Sequence, residues 1–331
     1  MPDSQPDFAI VAPFGAGWIL ESLAEAVIAE SRLRFLKIDH IKGGTAAAVD
    51  AVVRGPASVA RGAIFAHHIP LMETLKQRPA RKDVLFFGHY YRGPKGGDLP
   101  EPEAMAELMR QPALIWTNAS YWDRWLIEQG VAPERISRIV HAVDSHRFSI
   151  RAENDYCDRP TVGLVSQYHE RKNETFIRDA IHRRDDVDWV LLGRNWEKTP
   201  GRLLESCAGL PNFRYIDTRS TKFEHWPAIY RQFDIFASPS ICEGGPFPLL
   251  EAMACGVWPV ASDTGFASDF ILPGKTGRVH AVNDMAAFDG AIDEGVALSR
   301  SRSAEVRSVV SPLTWQRFGQ AAASDLLRLC Q

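Results

Sequence analysis

Short apolar runs alternate with longer stretches of helical period along the whole chain. In the first half the runs are Phe8 to Ala12, Ile64 to Ala66, Val84 to Phe87, Ala113 to Trp116 and Arg138 to His141. In the second they are Thr161 to Val165, Asp188 to Leu192, Phe213 to Ile216, Asp234 to Ala237 and Trp258 to Ala261. Near-continuous apolar runs suit strands buried on both faces, and the helical stretches between them supply the covering layers. The rhythm predicts an α/β protein of two doubly wound parallel-sheet domains. The polar stretch from Ser145 to Pro160 reads as the connection, which puts the domains at residues 1–150 and 151–331. Such sheets bind ligands at the carboxyl ends of their strands, and two lobes leave a cleft for a small molecule.

Composition narrows the class. At 331 residues, 45% hydrophobic and 24% charged, the chain is neither disordered nor collagenous. Lys+Arg 38 against Asp+Glu 41 gives a net charge of -3, so no broad positive field exists to hold a nucleic acid. The 5 cysteines are scattered without a C-x-x-C pair, as expected of reduced thiols in a cytoplasmic protein. No leader-like segment and no apolar run near the ~20 residues of a membrane span is present. The cluster Lys76, Arg78, Arg81 and Lys82 leaves room for weak peripheral contact with the inner membrane face.

The segment from Asp234 to Asp263 carries the most chemistry. It reads as strand, loop, helix and strand, with Glu243 in the loop, Pro246 in the first helical turn and Gly256 at the helix end. Gly244 and Gly245 permit close approach of a ligand to the backbone. The amides of Gly244, Gly245, Phe247 and Leu249, with the helix dipole, would make a seat for a diphosphate. Glu251 could accept hydrogen bonds from a vicinal diol such as that of ribose. Each glutamate alone reads equally well as a solvated loop or helix acid.

The ordered series Glu243, Gly244, Gly245, Pro246, then Glu251, Ala252, Met253, Ala254, Cys255 and Gly256 resembles the E-G-x-P-x-x-x-x-E-A-M-A-x-G signature of retaining GT-B glycosyltransferases of family 4. The flanking FASPS, GVWPVASDTG and LPGKTGRV are similar to that family too, as is RISRIVHAVDSHRF upstream. The resemblance implies two Rossmann-like domains, with the last helix able to pack back on the N-terminal one. It implies a nucleotide-diphosphate sugar, UDP- or GDP-linked, on the C-terminal domain, a hydroxyl acceptor on the N-terminal domain, and no cofactor. By position, Glu251 would hold the ribose, Glu243 would contact the donor sugar, and Gly244, Gly245 and Phe247 would lie near the diphosphate or sugar.

A further family element is a Gly-Arg pair followed by a phosphate-binding lysine. Lys172 stands at the lysine position, but Ser166 and Gln167 occupy those of the pair, so either Arg171 supplies the missing cation or the grip is weaker. His89, after a strand, matches a histidine that reaches the donor sugar in the family; His67 and His68 are either structural or acceptor-facing. Gly15 and Gly17 open a loop that could approach donor or acceptor, although Leu20 breaks the dinucleotide fingerprint. Absence of a D-x-D pair near the cleft points to transfer without a metal. Rival readings are an epimerase or phosphorylase of the same architecture, or a nucleotide-sugar-binding protein without turnover.

Overall fold

The computed structural model describes residues 5–15, 19–93, 99–150, 152 and 158–331. These divide into two compact units, one drawing on Met1–Arg92, Gly96–Ala142 and Leu313–Gln331, the other on Gly93–Lys95 and Val143–Pro312. Each unit contains a 6-stranded sheet in which every named pair of strands is parallel. The doubly wound architecture expected from the apolar rhythm is present in both.

In the N-terminal unit the strands are β1 (Phe8–Ala12), β2 (Phe35–Asp39), β3 (Gly62–Phe65), β4 (Val84–Phe86), β5 (Leu114–Thr117) and β6 (Ile136–Arg138), in the order β2-β1-β3-β4-β5-β6. Every residue of β1 is fully buried because it is flanked by strands and covered on both faces. Burying a side chain of the size of Phe8, Ile10 or Val11 contributes about 2 kcal/mol each. Helices α1 (Ile19–Glu30), α2 (Gly44–Val53), α3 (His68–Leu75), α4 (Pro102–Met109) and α5 (Ser120–Glu128) cover this sheet together with the last helix of the chain. That last helix, Trp315–Cys330, approaches α1 closely: a Cβ on Gly319 would stand 2.3 Å from the Ala26 carbonyl oxygen. Trp116 Nε1 also donates to the buried Asp325 at 2.9 Å.

The C-terminal unit contains β7 (Thr161–Gln167), β8 (Asp188–Arg194), β9 (Phe213–Asp217), β10 (Ile235–Ser238), β11 (Trp258–Ser262) and β12 (Arg278–His280), ordered β12-β11-β10-β7-β8-β9. The chain builds outward from β7 to β9 and then restarts at β10 on the other side. The crevice between the carboxyl ends of β7 and β10 is therefore the topological switch point. Helices α6 (Glu174–Arg183), α7 (Leu203–Ser206), α8 (Trp226–Tyr230), α9 (Phe247–Ala254), α10 (Ala267–Phe270) and α11 (Met285–Val310) cover it.

Two strands carry no strong signal in the sequence. β2, FLKID, and β12, RVH, are sheet edges, half-buried and polar in part, so neither shows an apolar run. β6 starts two residues before the run read from the sequence, because Pro133–Arg135 forms a short helical turn that sets its start.

Candidate functional site

The loops after β7 and β10 meet at the switch point of the C-terminal sheet. After β7 a short turn, Glu170–Lys172, presents Arg171 and Lys172, and Asn173 then takes the left-handed conformation (φ 63) to enter α6. Asn173 Nδ2 donates to the Pro239 carbonyl at 3.1 Å and to Asn283 Oδ1 at 2.9 Å, and the Ile241 amide donates to the Arg171 carbonyl at 2.8 Å. The two loops are thus locked by backbone and amide bonds before any charge is counted.

On this frame Glu243 lies 4% exposed with both carboxylate oxygens engaged. Arg171 Nη1 donates to Oε2 at 2.5 Å, Lys172 Nζ donates to Oε1, and Ser240 Oγ donates to Oε1 at 2.7 Å. Burial pushes the Glu243 carboxyl up, but Lys172 and Arg171 outweigh it and hold its pKa at about 2. For Lys172, burial lowers the ammonium pKa and is only partly offset by Glu243. The trio carries one net positive charge, and its Lys172 lines a small crevice with Ser166, Ser238, Ser240 and Pro246. Ser240 is a site residue that the sequence did not single out.

The helix that follows is shaped as the sequence suggested, with two differences. Pro246 is the N-cap and α9 starts at Phe247, so Pro248 rather than Pro246 stands in its first turn. The Leu249 amide donates to the Pro246 carbonyl at 2.9 Å and is not a donor for a ligand. Gly256, at φ 75, closes the helix: its own amide and that of Val257 return to the carbonyls of Met253 and Ala252. Gly244 is buried and Gly245 half-buried beside the turn.

Glu251 lies on α9, where Tyr230, fully buried on α8, donates its hydroxyl to Oε2 at 2.6 Å. Burial pushes the Glu251 pKa up to about 7, with the Tyr230 bond and the Arg147 charge pulling the other way. Tyr230 and Arg147 were not legible as site residues, since both lie outside the motif and reach it only in three dimensions.

Gln167, in place of an arginine, has a visible consequence. Its side-chain oxygen accepts from Arg194 Nε at 3.0 Å and Nη2 at 2.9 Å across the β7/β8 register, where the two residues are partners. A guanidinium therefore stands at the carboxyl end of β8, held by a neutral amide. Arg171 is committed instead to Glu243 and to the Cys242 carbonyl at 3.0 Å.

The remaining candidates belong to the N-terminal unit. Gly15 follows β1 at φ 74 and donates its amide to Glu21 Oε1 at 2.6 Å, within its own turn. Gly17 lies outside the described residues, as do Ala16 and Cys157. His89 is half-buried after β4 and acts electrostatically on His68. Trp122 is buried and Trp125 half-buried, its ring stacked on Phe87 at 5.5 Å, consistent with core packing. Among the described residues no group of three or more His, Cys, Asp or Glu is placed to hold a metal ion, and no helix is long and apolar enough to cross a membrane.

Comparison with known proteins adds an independent line. Residues 146–305 match the profile of the family described as Glycosyl transferases group 1. A GDP-mannose-dependent alpha-(1-6)-phosphatidylinositol monomannoside mannosyltransferase of Mycolicibacterium smegmatis is 28% identical over 226 residues, covering 62% of this chain and 59% of that protein. Sucrose-phosphate synthase of Thermosynechococcus elongatus superimposes with a TM-score of 0.77 at 16% identity, covering 99% of both chains. HepE of Anabaena, in complex with UDP and glucose, superimposes with a TM-score of 0.76 at 14% identity, covering 98% of this chain and 100% of that one. The matched segments span between 40% and 59% of the curated relatives' lengths.

Proposed function

We propose that this chain, which has the GT-B fold and whose residues 146–305 match the glycosyl transferases group 1 profile, transfers a sugar, with retention of configuration, from a nucleotide-diphosphate sugar to an acceptor hydroxyl. The observation that carries the reading is the Arg171, Lys172 and Glu243 cluster at the switch point of the C-terminal sheet, whose Glu243 opens the resembling signature. Its net positive charge suits a diphosphate, and the buried carboxylate fixes the two cations before a ligand arrives, so little reorganisation is needed as charge develops.

In this reading Lys172 and the amides around Gly244, Gly245 and Phe247 stabilise the leaving diphosphate as the bond from the sugar's anomeric carbon to the phosphate oxygen breaks. The acceptor oxygen forms the new bond on the same face, and its proton passes to the departing phosphate oxygen. Glu243 aligns Lys172 and Arg171 and presents the sugar-facing side of the loop. Arg194, brought up by Gln167, supplies the second cation that an arginine at position 167 would have given. Glu251 takes the ribose diol, with Tyr230 holding one oxygen so that the other faces the ligand. The N-terminal unit holds the acceptor. No metal takes part.

The donor we propose first is GDP-linked mannose, since the mycobacterial relative is a GDP-mannose-dependent mannosyltransferase. The test is incubation of the full chain with GDP-mannose, UDP-glucose and ADP-glucose over a panel of hydroxyl acceptors in the presence of a chelator, with the product anomer read by NMR. An α-linked mannoside released with GDP supports the reading. Epimerised donor without an acceptor, or sugar phosphate formed from added inorganic phosphate, would replace it with one of the rival activities.

A further inference from the structure

Arg307, half-buried on α11, forks between the segment that opens the C-terminal unit and the end of α9. Its Nη2 donates to the Ser145 carbonyl at 2.8 Å, and its Nη1 to the Phe148 carbonyl at 2.8 Å and to that of Ala254. Ala254 is the last residue of α9, and its carbonyl is among those that a helix leaves without an intrahelical partner. A guanidinium there satisfies it and complements the negative end of the dipole. Three carbonyls from two elements suit the planar, five-donor fork of arginine better than any other side chain.

The segment that Arg307 holds is tied within itself. Asp144 Oδ1 accepts from the amides of His146 and Arg147 at 3.1 and 3.0 Å, and the Phe148 amide donates to the Asp144 carbonyl at 2.8 Å. Ile150 then closes on the helix end: a Cβ on Gly256 would stand 3.0 Å from its Cγ1 and 2.9 Å from the Ser303 carbonyl oxygen of α11. Two side chains of this segment point toward α8. Buried Phe148 lies edge-on to the Tyr230 ring at 5.4 Å, and the Arg147 guanidinium stands over Phe223 at 5.1 Å from its centroid.

The titratable and charged groups around Glu251 therefore come from three elements. Tyr230 on α8 donates to Oε2 at 2.6 Å, Arg147 acts from the segment, and burial opposes both. Asp144 faces Arg147 at 3.7 Å, and Cys255, one turn on in α9, bears on Tyr230. Both groups that favour the ionised carboxylate depend on residues 145–148, Arg147 because it belongs to them and Tyr230 because Phe148 packs on its ring. Freeing that segment would let the charge drift into water and loosen the ring that makes the bond.

We propose that Arg307 is a positioning residue for Glu251: by tying residues 145–148 to the end of α9, it keeps Arg147 and the Tyr230 ring set against the Glu251 carboxylate, while its own guanidinium is spent on three carbonyls. That this carboxylate takes a ribose diol rests on the transferase reading; that Arg307 governs its ionisation does not. The first measurement accordingly needs no ligand. Carbon NMR of the full chain labelled at the glutamate carboxyls, with Glu251 assigned by the signal lost in Glu251→Gln, reads the midpoint of that one group. Arg307→Met should raise it by roughly 0.2–0.7 pH unit, the worth of an exposed charge such as Arg147.

Arg147→Gln should raise the midpoint as well, and the double variant should go no further than Arg307→Met alone, since both act through one contact. Arg307→Lys keeps the charge but not the planar fork, and should shift the midpoint in the same direction; it decides the outcome if the methionine variant does not fold. The second measurement compares GDP with 2′-deoxy-GDP. The preference for GDP should fall roughly twofold in Arg307→Met at about pH 7 and return by about pH 9, whereas a general loosening of the fold would give an equal loss at both. An unmoved or lowered midpoint, shifts that add in the double variant, or a loss independent of pH would overturn the proposal. A raised midpoint in a chain that binds GDP and 2′-deoxy-GDP alike would retain the role of Arg307 and reject the ribose contact.

Discussion

At the switch point of the C-terminal sheet a carboxylate 4% exposed is matched by two cations, whereas at that of the N-terminal sheet neutral histidines stand with no carboxylate acting on His67 or His68. The architecture is the same in both units, and so is the position of the crevice relative to strand order. What differs is the charge each edge carries. The first holds permanent charges in place with an internal counter-ion. At the second, burial lowers His67 to about 4 and His68 to about 3 and keeps both uncharged near neutrality. Permanent charge suits a group whose negative charge grows during reaction.

The largest effect that would break this contrast is expected from Glu243→Gln, which preserves shape but removes the counter-ion. Transfer should fall by roughly 10²–10³, the scale of a lost electrostatic element in an active site. Glu243 also sets an acid limit on stability. Its pKa is held at about 2 against an ordinary 4.5, so its contribution is present above 4.5 and disappears as pH falls from 4.5 toward 2. That contribution is about 3 kcal/mol at most, and the glutamine variant should show a flatter loss of stability on acid titration.

Glu251 offers a smaller and opposite signature. Its pKa is raised to about 7, so the folded state loses stability as pH climbs from 4.5 to 7, while the carboxylate that the proposed diol contact requires appears only around pH 7. Nucleotide affinity should therefore rise with pH through 7, by roughly tenfold at most per unit, measured calorimetrically with GDP. Tyr230→Phe removes a bond that favours the ionised form and should move the midpoint upward. A flat pH profile would detach Glu251 from the ligand.

The strands buried on both faces were legible from their apolar runs, and β2 and β12 were not, because edge strands share the polarity of loops. At the β7/β10 crevice the loop and helix motif were legible because Glu243, Gly244, Gly245 and Glu251 are close in sequence. The pairing of Glu243 with Arg171 and Lys172 was not, since it spans about 70 residues and depends on the β7 and β10 neighbourhood. Gln167 looked like a missing cation, and only the β7/β8 register shows that it brings Arg194 forward.

Seating of a nucleotide diphosphate in the β7/β10 crevice through Lys172 is tested most directly by phosphorus NMR and calorimetry of GDP and GDP-mannose binding to the wild type and to Lys172→Met. Both diphosphate resonances should shift on binding, and affinity should fall by roughly 10- to 100-fold in Lys172→Met, the cost of a hydrogen-bonded charge contact. Arg194→Gln should lose roughly two- to fivefold. Wild-type affinity in Lys172→Met, or no binding of either nucleotide by the wild type, would contradict it.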